Sequence, residues 1–86
     1  MPAAFIPTAL RRLTGNVHRV DVSPGNLLGV IEELERRFPG IREALIEDDR
    51  LRPGVLASID GDETGSLFAS IGDASEVHFV LAISGG

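Results

Sequence analysis

The chain contains no cysteine and no lysine. Without cysteine there is no disulfide, no thiolate nucleophile, no side-chain persulfide and no cysteine-ligated metal. Without lysine there is no Schiff base, no phosphate-loop lysine and no isopeptide acceptor on this protein. Aromatic residues are limited to four Phe, and Trp and Tyr are absent. Cations are scarce: eight basic residues, all Arg, face 13 Asp and Glu, for a net charge of −5 and a pI near 4.8. That balance argues against a nucleic-acid partner, which needs a basic face. It favours a protein partner with a basic or mixed surface. The longest apolar run, Phe79 to Ile83, is far too short for a membrane span. No charged-then-apolar stretch opens the chain, so the expected compartment is the cytoplasm.

What remains is 86 residues, 43% of them hydrophobic, enough for one small domain with a thin core. No composition shift marks a linker or repeat. Ala3 to Ile6 is an apolar run stopped by Pro7, and Val17 to Val22 alternates with Val20 and Val22 on one face; together they predict a hairpin with a long connection. Leu27, Val30, Ile31, Leu34 and Phe38 recur at helical spacing, so the pattern predicts a helix over Leu27 to Phe38, capped by Asn26 and stopped by Pro39-Gly40. Gly29 inside it costs about 1 kcal/mol against Ala and is read as close packing of the helix on a sheet. Ile41 to Ile46 forms a further helical turn, and Glu47-Asp48-Asp49 a solvated charge run. Val55 to Asp60 alternates into the tight-turn pair Asp60-Gly61. Leu67 to Ile71 is a rim strand or a 3₁₀ turn, and Glu76 to Ala82 a last strand apolar on both faces. The expectation is an α+β fold, a mixed sheet of four to five strands packed on one main helix.

The candidate chemistry lies in Ile83-Ser84-Gly85-Gly86. A terminal double glycine is often no more than a frayed end. Here an apolar strand leads straight into it. Glycine lacks a Cβ, so such a tail threads a narrow channel and presents its carboxylate to a bound nucleotide. Four extended residues reach roughly 13–14 Å. His18 and His78 stand apart and are read as solvated or packed rather than metal ligands, and Arg11 and Arg12 as surface charges.

These features resemble the sulfur-carrier family of ubiquitin-like β-grasp proteins, the group of the molybdopterin-synthase small subunit and the thiamin-biosynthesis carrier. The matching residues are Ile6-Pro7-Thr8-Ala9-Leu10-Arg11 with Thr14-Gly15, the helix with Pro39-Gly40-Ile41-Arg42, Leu51-Arg52, and Glu76-Val77 leading to Gly85-Gly86. The opening is most similar to the cysteine-biosynthesis carriers of actinobacteria. The chain departs from the family pattern at Leu81, where a proline is common, and over Asp62 to Gly65.

The resemblance implies a β-grasp domain over residues 1–82 with a flexible Gly-Gly tail over 83–86. It implies a carrier rather than an enzyme, binding no cofactor of its own. An E1-like activating enzyme would use ATP to adenylate Gly86, and a sulfurtransferase or other donor would convert it to a thiocarboxylate. A sulfur-accepting synthase, pyridoxal-phosphate dependent in the cysteine case, would receive the sulfur, and a metalloprotease would release the new residue. The alternatives are a molybdopterin-synthase small subunit, a ubiquitin-like modifier conjugated through Gly86, and an interaction domain whose glycines do nothing. In a β-grasp sheet the first and third strands flank the last. Alternation then turns Phe5, Leu56, His78 and Val80 outward, as an apolar docking patch beside Ile83, Ser84, Gly85 and Gly86. A one-residue register slip would bury that patch.

Overall fold

The computed structural model describes residues 1–82. Strand β1 (Ala3–Phe5) ends at Ile6-Pro7, where proline supplies no amide donor. The Pro7 carbonyl instead accepts from the Leu10 amide and opens a 3₁₀ helix over Thr8–Leu13, which fills the long connection the sequence implied. Strand β2 (Arg19–Asp21) returns antiparallel to β1, pairing Arg19 with Phe5 and Asp21 with Ala3. A two-residue strand β3 (Gly25–Asn26) leads into helix α1 (Leu27–Arg37).

Helix α1 starts where expected. The Asn26 side chain accepts a hydrogen bond from the Gly29 amide at 2.8 Å, satisfying one of the orphan donors of the first turn. The helix ends one residue earlier than the apolar spacing predicted, because Phe38 already has φ −134°. Leu27, Val30, Ile31 and Leu34 are buried against Ala4, Ile6, Val20, Val22, Ala57 and Val77 of the sheet side. Gly29 does not make the close helix–sheet contact expected of it. It is exposed on the outer side of the helix, and a Cβ there would meet only the Asn26 Oδ1, at 3.4 Å. Two stability changes of opposite sign follow. Asn26→Ala is expected to lose about 1 kcal/mol, lowering the melting temperature by roughly 4–8 °C. Gly29→Ala is expected to gain about 0.5–1 kcal/mol. Thermal melts of the two variants check both.

Helix α2 (Ile41–Leu45) is tied to α1 by Glu35, whose carboxylate accepts from the Gly40 and Arg42 amides. Strands β4 (Ile46–Glu47) and β5 (Arg50–Leu51) then form a hairpin whose loop is Asp48-Asp49, with φ of 54° and 62°. The acidic run is thus a tight turn as well as a solvated one, since Asp tolerates left-handed backbone where most side chains do not.

Strand β6 (Val55–Ile59) turns through Asp60-Gly61 into β7 (Asp62–Thr64). Both loop residues have positive φ, 52° and 89°, as a two-residue hairpin turn requires. Strand β8 (Ser70–Ile71) pairs with β3 in a separate ribbon rather than joining the main sheet. Strand β9 (Glu76–Leu81) runs parallel to β1 and antiparallel to β6. The main sheet therefore has five strands in the order β2-β1-β9-β6-β7, mixed in direction, with α1 across one face. The architecture is the α+β arrangement of five strands and one main helix that the sequence led us to expect.

Candidate functional site

Because β1 and β6 both flank β9, the outer face of the sheet is laid out by strand register in rows. The row nearest the end of β9 pairs Leu56 with Val80. They are 40% and 44% exposed, unusual for large apolar side chains on a central strand pair. The next row crosses all five strands as Arg19, Phe5, His78, Ser58 and Glu63. The third row holds Asp21, Ala3 and Glu76. On the other side of β9, Val77 and Phe79 are buried in the core.

In the middle row the Phe5 and His78 rings stack with centroids 4.3 Å apart and planes within 3°. The pair covers β1 and β9 with one flat apolar surface that retains a polar edge. His78 Nε2 lies 3.8 Å from a Glu76 carboxylate oxygen, and Arg19 reaches Asp21 at 3.1 Å. All four side chains of these two pairs are half exposed or more. An exposed ion pair such as Arg19–Asp21 contributes about 0–1 kcal/mol, so it does not hold the fold together. Phe5, Leu56, His78 and Val80, the four residues singled out for this face, are thus side by side and turned away from the core.

The end of β9 has a feature the sequence reading missed. After Leu81 pairs with Val55, the Ala82 amide donates to the Gly54 carbonyl at 2.7 Å. Gly54 sits in the turn Arg52-Pro53-Gly54-Val55, which is closed by a Val55 N–H to Arg52 carbonyl bond of 2.9 Å. Its φ of +85° at the third position, after proline, marks a type II turn. A Cβ on Gly54 would lie 3.4 Å from the Ala82 carbonyl oxygen and 3.7 Å from its Cβ. The Pro-Gly pair was the available signal; what it packs against was not. Ala82 is therefore anchored at the edge of the apolar row. Ile83, Ser84, Gly85 and Gly86 lie outside the described residues.

Other features fall elsewhere. A cleft of about 550 Å³ runs beside α1, lined by Gly29, Glu32 and Arg36, with Phe68 at its rim. It belongs to the helix layer, not the sheet face. Among the described residues, no three His, Asp or Glu side chains gather as a metal site would require. No helix among them is long and apolar enough to cross a membrane.

No protein-family model matches the chain. Sulfur carrier protein CysO of Mycobacterium tuberculosis is 32% identical over 87 aligned positions, covering 94% of this chain and 94% of the carrier; the same figures hold for CysO of Mycobacterium bovis. Among solved structures, the Amycolatopsis orientalis BexX/CysO complex superposes with a TM-score of 0.92 at 26% identity, over 100% of both chains. The crystal structure of Mycobacterium tuberculosis CysO gives 0.87 at 29% identity, over 96% of this chain and 100% of that one. The sheet and helix described above are the ubiquitin-like β-grasp fold of these structures.

Proposed function

The chain belongs to the CysO family of sulfur carrier proteins, and from that premise we propose that it carries sulfur as a thiocarboxylate on Gly86 for the biosynthesis of cysteine. Proteins of this family are small carriers rather than enzymes, so the chemistry is done to Gly86 by its partners. The Gly86 carboxylate attacks the α-phosphorus of ATP in an E1-like activating enzyme, forming an acyl-adenylate and releasing pyrophosphate. A sulfur donor then attacks the acyl carbon and expels AMP. Hydrosulfide gives the thiocarboxylate directly. A sulfurtransferase persulfide gives an acyl disulfide, whose S–S bond a second thiol of the donor cleaves, leaving a disulfide on the donor. The thiocarboxylate that results is a softer and stronger nucleophile than the carboxylate it replaces. A sulfur-accepting, pyridoxal-phosphate-dependent synthase takes it up, and a metalloprotease frees the product.

This chain's own part is to dock and to present its end. The observation that carries the reading is an apolar outer face that runs along β9 to Ala82, the residue from which the Gly-Gly sequence continues. Exposed Leu56, Val80 and His78 and the half-buried Phe5 ring stacked on His78 form one largely apolar surface. Directly beyond Val80, the Ala82 amide is bonded to Gly54, and Ser84-Gly85-Gly86 follows. Apolar surface exposed on one side of a sheet usually contacts a partner. A partner covering it would lie beside Ala82, the last described residue before the Gly-Gly end. With neither cysteine nor lysine in the chain, no side chain competes for the sulfur or for the activated acyl group.

The test is co-expression with the activating enzyme and sulfurtransferase of the same organism, followed by intact-mass measurement. The expected product is a species with one oxygen of the terminal carboxylate replaced by sulfur. Its absence under conditions that adenylate the chain would remove the carrier reading.

A further inference from the structure

The outer face is graded in charge as well as in polarity. Six of the 13 carboxylates, Asp21, Asp60, Asp62, Glu63, Asp73 and Glu76, belong to the sheet strands and the turns beside them, accompanied by Arg19 alone. The rest of the chain pairs seven carboxylates with seven arginines and is neutral in sum. The whole net charge of −5 is therefore carried by the sheet.

Of these carboxylates, register turns Glu63 outward in the middle row and Asp21 and Glu76 outward in the far row. Leu56 and Val80 lie at the tail end. The Phe5–His78 stack follows, and the far row presents Asp21 and Glu76 on either side of the buried Ala3. Asp60 joins them, its Oδ1 accepting from the Glu76 amide at 2.9 Å. Four residues of β9 separate Val80 from Glu76, about 13 Å at the rise of an extended strand. Arg19 offsets only Asp21, and the 65%-exposed Glu76 side chain has His78 alone within ion-pair reach among the described residues.

We infer that the activating partner carries a basic segment seated on Asp21 and Glu76, about 13 Å from its own apolar contact with Val80 and on the side away from its nucleotide. This inference rests on the carrier reading and names the chemistry of the partner for that same face. The physical reason is orientation. An apolar patch of two side chains and one ring stack gives affinity but tolerates rotation about the contact. A charge at one end of the patch fixes the rotation, and with it the direction in which Gly85-Gly86 points. The same carboxylates steer encounter with a basic surface and repel an acidic one. Because screening acts over about 8–10 Å, the basic side chains must come close to the far row itself.

The experiment measures association of the full-length protein with the activating enzyme at low and at high ionic strength. Glu76→Lys is compared with Glu32→Lys, which makes the same charge change on the helix layer. Glu76→Lys is expected to slow association at least about tenfold at low salt, the gap closing to about twofold at high salt, while Glu32→Lys stays within about twofold throughout. Equal behaviour of the two variants, or a Glu76→Lys defect that salt does not relieve, would overturn the inference. The outcomes separate from those of the carrier reading. If the wild type is thiocarboxylated and the two variants dock alike, this inference alone fails; if the wild type is neither adenylated nor bound, both fail. A melting curve for Glu76→Lys matching that of the wild type shows that the fold is intact.

Discussion

A chain shortened by Gly86 alone is expected to melt like the full-length protein and to acquire no sulfur. The truncation leaves in place the described core, with Val77 and Phe79 buried, and the last strand pairing, Leu81 with Val55. What changes is reach. Ala82 is fixed to the Gly54 carbonyl, so the terminal carboxylate of the shortened chain stops short by about 3.3–3.6 Å. Attack on the nucleotide needs the reacting atoms about 3–3.5 Å apart, and a displacement of 1 Å can already cost about a hundredfold. A loss of at least that size in adenylation, read by pyrophosphate release and by intact mass, is the expected result. Gly85→Val should behave similarly by a different route, because its branched side chain must enter a channel shaped for glycine. Normal sulfur loading of the truncated chain would show that the reactive end is elsewhere.

The second large effect is expected from Val80→Asp. Val80 is 44% exposed and faces away from the core, so the fold loses little and the melting temperature should move by only a few degrees. In the complex the same side chain would place an unpaired carboxylate inside an apolar contact, which costs far more than the methyl groups removed. Affinity for the activating enzyme should fall about 30-fold or more, the scale of a central interface residue. Titration calorimetry measures it, with a melting curve to show that the variant is folded. An unchanged affinity would mean that the partner grips another surface, the Phe68 cleft beside α1 being the obvious one.

Much of this was legible in the sequence because the strongest signals are periodic. Leu27, Val30, Ile31 and Leu34 mark a helix stripe, and the buried–exposed alternation along β9 sets which of its residues face out. Once the first and third strands are placed beside the last, that alternation alone turns Phe5, Leu56, His78 and Val80 to one side. Three things did not follow from pattern. Gly29 could be read as close packing because a missing side chain is silent about which neighbour needs the space. Asp48-Asp49 reads as a solvated charge run because two-residue turns are signalled most clearly by Asn-Gly or Asp-Gly, as at Asp60-Gly61. The contact of Gly54 with Ala82 joins residues 28 positions apart, and only the register of β6 on β9 brings them together. Likewise the row Arg19, Phe5, His78, Ser58, Glu63 is invisible until five separate strands are aligned.

The order β2-β1-β9-β6-β7 has a consequence for how the molecule is made. The last of the five sheet strands in chain order is the middle one of the sheet. Until residues 76–81 emerge, the β1–β2 and β6–β7 hairpins have no common partner, and α1 has half a surface to cover. Sheet closure therefore waits until the last of its five strands has been made, since pairing of sequence-distant strands waits on loop closure. A ribosomal product broken off before β9 would have neither the stacked ring of His78 nor the apolar edge of Val80. Such a fragment would leave the edges of β1 and β6 unpaired and open to association with other chains.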